Sequence, residues 1–257
     1  MASFFLGFFG HALHRHQIRR WERLGVRAAR MSLADLRPLR QRALQLRQVL
    51  DRVLHIADSR LTLPLIGSST FPKPLHSDWA WRPQLWSGPI TPIGMAAAPT
   101  KARFGDEVTL FHDCKISELT VRQVRNRREA DLAPYGLKMD VFNFDGSFLS
   151  LVVELPPEAV RGLKRNHLVR MTSVVETEAP LEIFARLNVR HGPNTEQMVR
   201  ELPLEGGEIM VEFDLAYTKL NEKRVEAAWV DLIFEGPKMN QVILRDVTFS
   251  RRPRADL

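Results

Sequence analysis

The sequence predicts a mainly β protein, an antiparallel β-sandwich of jelly-roll type preceded by an N-terminal helical arm. Three observations lead there. From about Phe104 onward apolar residues recur with a period of two; roughly ten such segments follow one another without a long helical pattern between them; and the first sixty residues instead space their apolar positions by three and four. The chain accordingly divides into a basic amphipathic helical arm over 1–60, a Pro/Trp-rich connector over 61–100 and a β-sandwich over 101–257.

The arm holds the excess charge. Residues 1–60 carry twelve arginines, no lysine and four acids, a net of +8 in a chain whose total is +7, so the remainder is close to neutral. On a helical projection Arg15, Arg19, Arg20, Arg23, Arg27 and Arg30 fall within a sector of about 140°, with Leu13, Ile18, Trp21, Leu24, Ala28 and Met31 opposite. Phe4, Phe5, Phe8 and Phe9 form an aromatic head. Such a helix suits an anionic membrane surface, its aromatics embedded and Arg15, Arg19 and Arg23 against headgroups beside Trp21. It suits equally a protein partner or packing on the body, and a nucleic-acid contact is not favoured. The apolar start lacks the leading charges and cleavage site of a secretory signal, and no run reaches the roughly 20 apolar residues of a membrane span.

A second helix is predicted over residues 33–59. Ser32 followed by Asp35 has capping-box spacing, and Leu36, Leu39, Ala43, Leu46, Leu50, Val53 and Ala57 then form a heptad seam. The seam is expected to be buried, within the chain or by self-association. Beyond it Pro64, Pro72, Pro74, Pro83, Pro89, Pro92 and Pro99 argue against regular helix. Trp79, Trp81 and Trp86 imply that this connector is strapped on the body, since rings of that size are costly to leave in water.

In the body, Leu181, Ile183, Ala185, Leu187 and Val189 alternate with Glu182, Phe184, Arg186, Asn188 and Arg190, and Ile209, Val211, Phe213, Leu215 and Tyr217 alternate likewise. Further strands are expected at 107–114, 118–125, 137–144, 147–155, 167–176, 196–202, 225–235 and 241–250, with a helical turn after Pro156-Pro157. Asp145-Gly146 and Gly206-Gly207 read as tight hairpins, Gly192-Pro193-Asn194 and Gly236-Pro237 as longer loops, and Arg251-Arg252-Pro253-Arg254 as a basic tail at a sheet edge.

No nucleophile elbow, phosphate loop or metalloprotease motif occurs, and the lone Cys114 excludes an internal disulfide. His112 and Cys114 share a strand face with Val108 and Leu110, a core environment, and neither a metal site nor a cofactor is predicted. The polar set on the non-core faces is more suggestive. Arg186, Asn188, Trp229 and Asp231, with His191 nearby in sequence, combine forked groups with an aromatic ring, as recognition of a neutral or anionic glycan requires.

Phe111-His-Asp-Cys114, Tyr135-Gly-Leu137 through Gly146-Ser-Phe-Leu149, Phe184 to Asn194, Ala228 to Phe234 and Arg245-Asp-Val247 through Ala255 carry a resemblance to an uncharacterised protein family of photosynthetic and marine alphaproteobacteria. That resemblance implies no activity and no catalytic residue. The last two strands also resemble sugar-binding jelly-roll modules, in a manner generic to amphipathic strands. The sequence thus reads as a non-enzymatic β-sandwich interaction module, cytoplasmic or peripheral at the inner membrane face, whose arm docks on a membrane surface or partner. The alternative is a jelly-roll enzyme acting on a glycan or small metabolite.

Overall fold

The structure, a computed structural model, describes residues 2–66, 71–128, 130–204 and 206–254, and gives the backbone alone for 2–13, 51–52 and 54–66. Helix α1 spans Ala2–Ala28 and α2 spans Leu33–Ile66. Ser32 starts α2: its Oγ accepts the Asp35 amide at 3.2 Å and its hydroxyl donates to Asp35 Oδ2 at 2.7 Å, occupying one of the amides a helix start leaves unpaired. The helix passes the expected end at 59 and takes in Pro64. A proline in the last turn removes only one intrahelical hydrogen bond, next to carbonyls that lack partners anyway.

The seam is less buried than its spacing implies. Leu36 and Leu39 are half-buried, whereas Leu46, Leu50 and Val53 are 38, 51 and 57% exposed, and the Ala57 side chain lies outside the described residues. Within a single copy of the chain the middle of the seam is therefore uncovered. The chain separates into two compact units that divide inside α2, between Leu54 and His55. No helix among the described residues is long and apolar enough to cross a membrane.

The second unit is a sandwich of two antiparallel sheets. The first has seven strands, in the order β11 (Ile209–Asp214), β8 (His167–Thr177), β13 (Asn240–Pro253), β6 (Tyr135–Val141), β5 (Leu119–Arg125) and β2 (Gly94–Met95), with β1 (Trp79–Trp81) also paired to β13. The second has six: β10 (Asn194–Glu201), β9 (Glu182–His191), β12 (Val225–Glu235), β7 (Leu149–Glu154), β4 (Val108–His112) and β3 (Ala102–Phe104). Alternation builds the core. Ile183, Ala185, Leu187 and Val189 of β9, Val230, Leu232 and Phe234 of β12, and Met171, Phe213, Leu244 and Phe249 from the facing sheet are all buried.

Turn chemistry misleads at three places. Asp145-Gly146 joins β6 to β7, and Gly206-Gly207 lies between β10 and β11, so both cross from one sheet to the other instead of closing hairpins. At the first crossing Asp113 Oδ1 accepts the amides of Ser147 (2.7 Å) and Phe148 (3.1 Å), and a Cβ on Gly146 would lie 2.5 Å from that oxygen. Glycine is needed there for close approach to a neighbouring loop. Conversely, Gly192-Pro193 is a true two-residue hairpin, with His191 paired to Asn194. Gly192 has φ +62° and proline fixes the next φ near −65°, the sequence a II′ turn requires.

The Pro/Trp-rich segment packs as part of this body. Trp86 is fully buried and its indole N–H donates to the Leu244 carbonyl at 2.9 Å. Helical turn α3 (Gln84–Ser87) is held by Gln123 of β5, whose amide donates to the carbonyls of Leu85 (2.6 Å) and Gly88 (2.7 Å) and accepts the Ile90 amide (3.0 Å). Trp81 stacks on Phe249 with ring centroids 5.9 Å apart. The last strand is not an edge. β13 lies between β8 and β6; its Arg251 pairs with Asp78 (2.9 Å) and its Arg252 with Glu212 (3.3 Å), and Arg254 just beyond it meets Asp214 (3.2 Å).

Beside Arg251, His167 is buried, and its Nδ1 accepts the Lys164 amide at 2.9 Å. Burial first, then the Arg251 charge, lowers its pKa from the ordinary value. The folded state thus prefers the neutral ring. As pH falls from about 6.5, the unfolded chain takes up the proton first and stability declines until the folded value is passed. Denaturation midpoints between about pH 7 and pH 5 should fall more steeply in the native protein than in a His167→Gln variant.

Candidate functional site

Strand pairing assembles most of the sequence-predicted polar set. On the outer face of the six-stranded sheet, Trp229 of β12 lies opposite Asn188 of β9, and Asp231 lies opposite Arg186. Parity had put these side chains on non-core faces; the β9–β12 register makes them neighbours. Asp231 Oδ2 is the hub. It accepts Arg186 Nε at 2.8 Å and Asn188 Nδ2 at 3.1 Å, and lies 2.6 Å from Arg186 Nη2. Asn188 also donates to the Arg186 carbonyl (3.0 Å), while its Oδ1 accepts from Gln197 Nε2 of β10 (3.0 Å).

These groups differ in exposure, which determines what each can do. The Asp231 side chain is 5% exposed and Asn188 is buried, so both serve as fixed support, whereas the Arg186 side chain is 36% exposed. A planar guanidinium is thereby clamped on one edge, with its Nη1 donors left without a partner among the described residues. Around it the sheet is apolar. Phe111, Phe148, Ser150, Val152 and Ile233 line a shallow depression of about 380 Å³ with Arg186 and Asp231. One transverse row runs Phe111, Ser150, Ile233, Phe184 and the next runs Val152, Asp231, Arg186, Val199, about 7 Å apart at two residues per step.

A second concavity, of about 510 Å³, lies over the seven-stranded sheet, and sequence reasoning missed it. Thr172, Glu176 and Thr248 line it, as do Asn126, Arg128, Ala130, Asp131, Leu132, Gly206–Glu208 and Phe71. Its arginines are already paired with carboxylates. Glu176 meets Arg128 and accepts Arg245 Nε at 2.5 Å, and Arg245 lies 3.6 Å from Asp131. Burial alone would raise the Glu176 pKa, but Arg245 and Arg128 outweigh it and hold the carboxyl below the ordinary range. No local motif could reveal a cleft built from segments so far apart in the chain.

Over residues 1–257 the sequence matches the family model of DUF6478, a family of unknown function. The chain belongs to the DUF6478 family. No curated protein matches it in sequence. Among solved structures it is similar to the enzymatically active domain of bacteriophage CBA120 tailspike protein 4, with 7% identity and a TM-score of 0.40, covering 56% of this chain and 19% of that one. It thus spans under a fifth of the tailspike chain. It is also similar to the family 11 carbohydrate-binding module of Clostridium thermocellum (10% identity, TM-score 0.39, 59 and 91% covered). A third likeness is to the C-terminal family 22 carbohydrate-binding module of Clostridium thermocellum Xyn10B (8% identity, TM-score 0.37, 73 and 100% covered).

In this DUF6478 chain His191 stands apart from the Arg186 set. It has the core-facing parity of β9, is buried, accepts the Asn221 amide at 3.3 Å through Nδ1 and lies 3.6 Å from Glu196. His112 accepts the Cys114 amide through Nδ1 (3.2 Å) and places Nε2 2.9 Å from the Ala98 carbonyl. The two histidines do not converge. His112 aligns across β7 and β12 with Ile183, and His191 is eight residues farther along β9, roughly 27 Å at 3.4 Å per residue. Burial raises the Cys114 thiol pKa, and no cluster of metal-ligating groups occurs among the described residues. On α1, Arg15, Arg19 and Arg23 are exposed and Trp21 is half-buried; the side chains of Phe4, Phe5, Phe8 and Phe9 lie outside the described residues.

Proposed function

We propose that this chain is a non-enzymatic recognition module whose sandwich takes a glycan on the open face of the six-stranded sheet. One observation carries the reading: the buried Asp231 and Asn188, braced by the exposed Gln197 of β10, hold a half-exposed Arg186 fork in place within a face bearing Phe111, Phe148, Phe184 and Trp229. Aromatic faces supply apolar area to sugar rings, and a pre-oriented guanidinium supplies paired donors to hydroxyls or a carboxylate without an ordering cost at binding. The separation of His112 from His191 supports binding over acid–base chemistry by that pair.

The full-length protein should retain a ligand on an immobilised glycan panel. Trp229→Ala and Arg186→Gln should each weaken that binding by roughly tenfold or more, as central anchors do. Phe71→Ala, at the rim of the other cleft, should leave it unchanged. Binding that survives both face substitutions, or that is lost with Phe71→Ala alone, would move the site off this face.

For the helical unit we propose docking on an anionic membrane surface. The ten arginines from Arg15 to Arg47 are all exposed, and basic side chains near such a surface each contribute about 1 kcal/mol at low salt.

A further inference from the structure

We propose that the notch between α1 and α2 is a binding site for a phosphate group. Arg20, Arg23 and Arg27 of α1 and Arg42 of α2 line a cavity of about 420 Å³ together with His16 and Trp21. Spacings of three and four residues put the three α1 arginines on one stripe of the helix, and the turn before Ser32 brings Arg42 to the same opening. The stripe therefore borders the second helix, where a projection of α1 alone would place it on a face directed away from packing.

The charge in this notch is unbalanced. No carboxylate lines it, and none of the four guanidinium groups has an ion-pair partner among the described residues; Arg23 Nε donates to the Arg19 carbonyl at 3.1 Å. Asp35, at the start of α2, is engaged by Ser32. Elsewhere in the protein, by contrast, Arg82, Arg128, Arg170, Arg186, Arg245 and Arg251 each meet a carboxylate. Like charges converging on one concavity repel, and an anion seated there converts that repulsion into charge-assisted hydrogen bonds. Planar forks approaching from two helices match the oxygens of a tetrahedral phosphate better than a single planar carboxylate, and Trp21 with Leu24 gives the notch an apolar wall for whatever carries the phosphate.

The ligand class is thus a phosphate ester or polyphosphate, and a lipid headgroup or a soluble phosphate could supply it. The inference does not rest on glycan binding by the sandwich. To test it, full-length protein is titrated with inorganic pyrophosphate, and separately floated with phosphatidylcholine vesicles with and without phosphatidic acid. Three proteins are compared: native; Arg20→Gln, Arg27→Gln, Arg42→Gln; and the equal-charge control Arg30→Gln, Arg37→Gln, Arg40→Gln. The notch variant should bind pyrophosphate roughly tenfold or more weakly, while the control stays within about twofold.

Loss of phosphatidic acid flotation in the notch variant alone identifies a lipid phosphate as the source. Absence of flotation by native protein, with notch-dependent pyrophosphate binding retained, identifies a soluble one and removes the membrane reading alone. Equal weakening in both triple variants, or no pyrophosphate binding by native protein, overturns the site. Should the glutamine variant misfold, Arg20→Lys, Arg27→Lys, Arg42→Lys keeps the charge and removes the forks; undiminished pyrophosphate binding by that protein would likewise overturn it.

Discussion

Replacing Trp86 with alanine is expected to lower the unfolding free energy of the sandwich by about 3–5 kcal/mol, the usual cost of truncating a fully buried aromatic. The indole is 0% exposed and also satisfies the Leu244 carbonyl of β13. Trp86→Phe separates the two contributions. It keeps most of the apolar area but leaves that carbonyl without its donor, for about 1–3 kcal/mol. Denaturant midpoints at unchanged slope measure both effects. A small effect of the alanine variant would mean that residues 78–90 open independently of the sheets, even though Gln123 ties three of their backbone groups to β5.

Much of this fold is legible in the sequence because one physical signal dominates each part. A strand with one face buried must alternate, and Ile183, Ala185, Leu187 and Val189 do so without interruption. The helix at α2 is announced by Ser32 and Asp35 and by seam spacing. What local signals cannot give is the partner of each surface. The seam reads as buried because apolar spacing records what a helix can pack, yet Leu50 and Val53 remain more than half exposed. Asp-Gly and Gly-Gly pairs read as hairpins because φ > 0 is needed in tight turns, but Gly146 answers to the Asp113 side chain on a different loop.

The candidate site divides in the same way. Parity alone assigns Arg186, Asn188, Trp229 and Asp231 to outer faces. Their meeting depends on β9 pairing with β12 across more than thirty intervening residues, which no local pattern encodes. Asn188 shows a further limit: it has outer-face parity but is 1% exposed, because hydrogen bonds to Asp231, Gln197 and the Arg186 carbonyl draw it into the sheet surface. His191 is close in sequence and yet points to the other side of the strand, where period two sends an odd offset. The notch arginines likewise acquire their meaning only when α2 returns beside α1.

Breaking the Arg82–Asp246 pair from either side is expected to cost about 3–5 kcal/mol, because each partner leaves the other as an uncompensated buried charge. The contact is bidentate, Nε to Oδ1 at 2.9 Å and Nη2 to Oδ2 at 2.7 Å, with side chains only 4 and 11% exposed. It joins the Pro/Trp-rich segment to the point where β13 shifts register against β8, between Leu244 and Asp246. Replacing both residues with apolar side chains of similar volume, Arg82→Met with Asp246→Leu, should recover most of the loss, since burying the pair is itself costly. The pH dependence provides an independent check. Burial raises the Asp246 pKa, and the Arg82 fork offsets that only in part. In Arg82→Ala the offset is gone and the carboxyl favours its protonated form more strongly. An acid whose folded pKa is raised contributes stability below its unfolded value, about 3.9, and loses it as pH rises through the folded value. The stability deficit of Arg82→Ala relative to native protein should therefore be largest near neutral pH and shrink on acidification. A deficit that stays constant from about pH 7 to pH 4, measured by denaturant unfolding, would show that the Asp246 charge reaches solvent once Arg82 is removed.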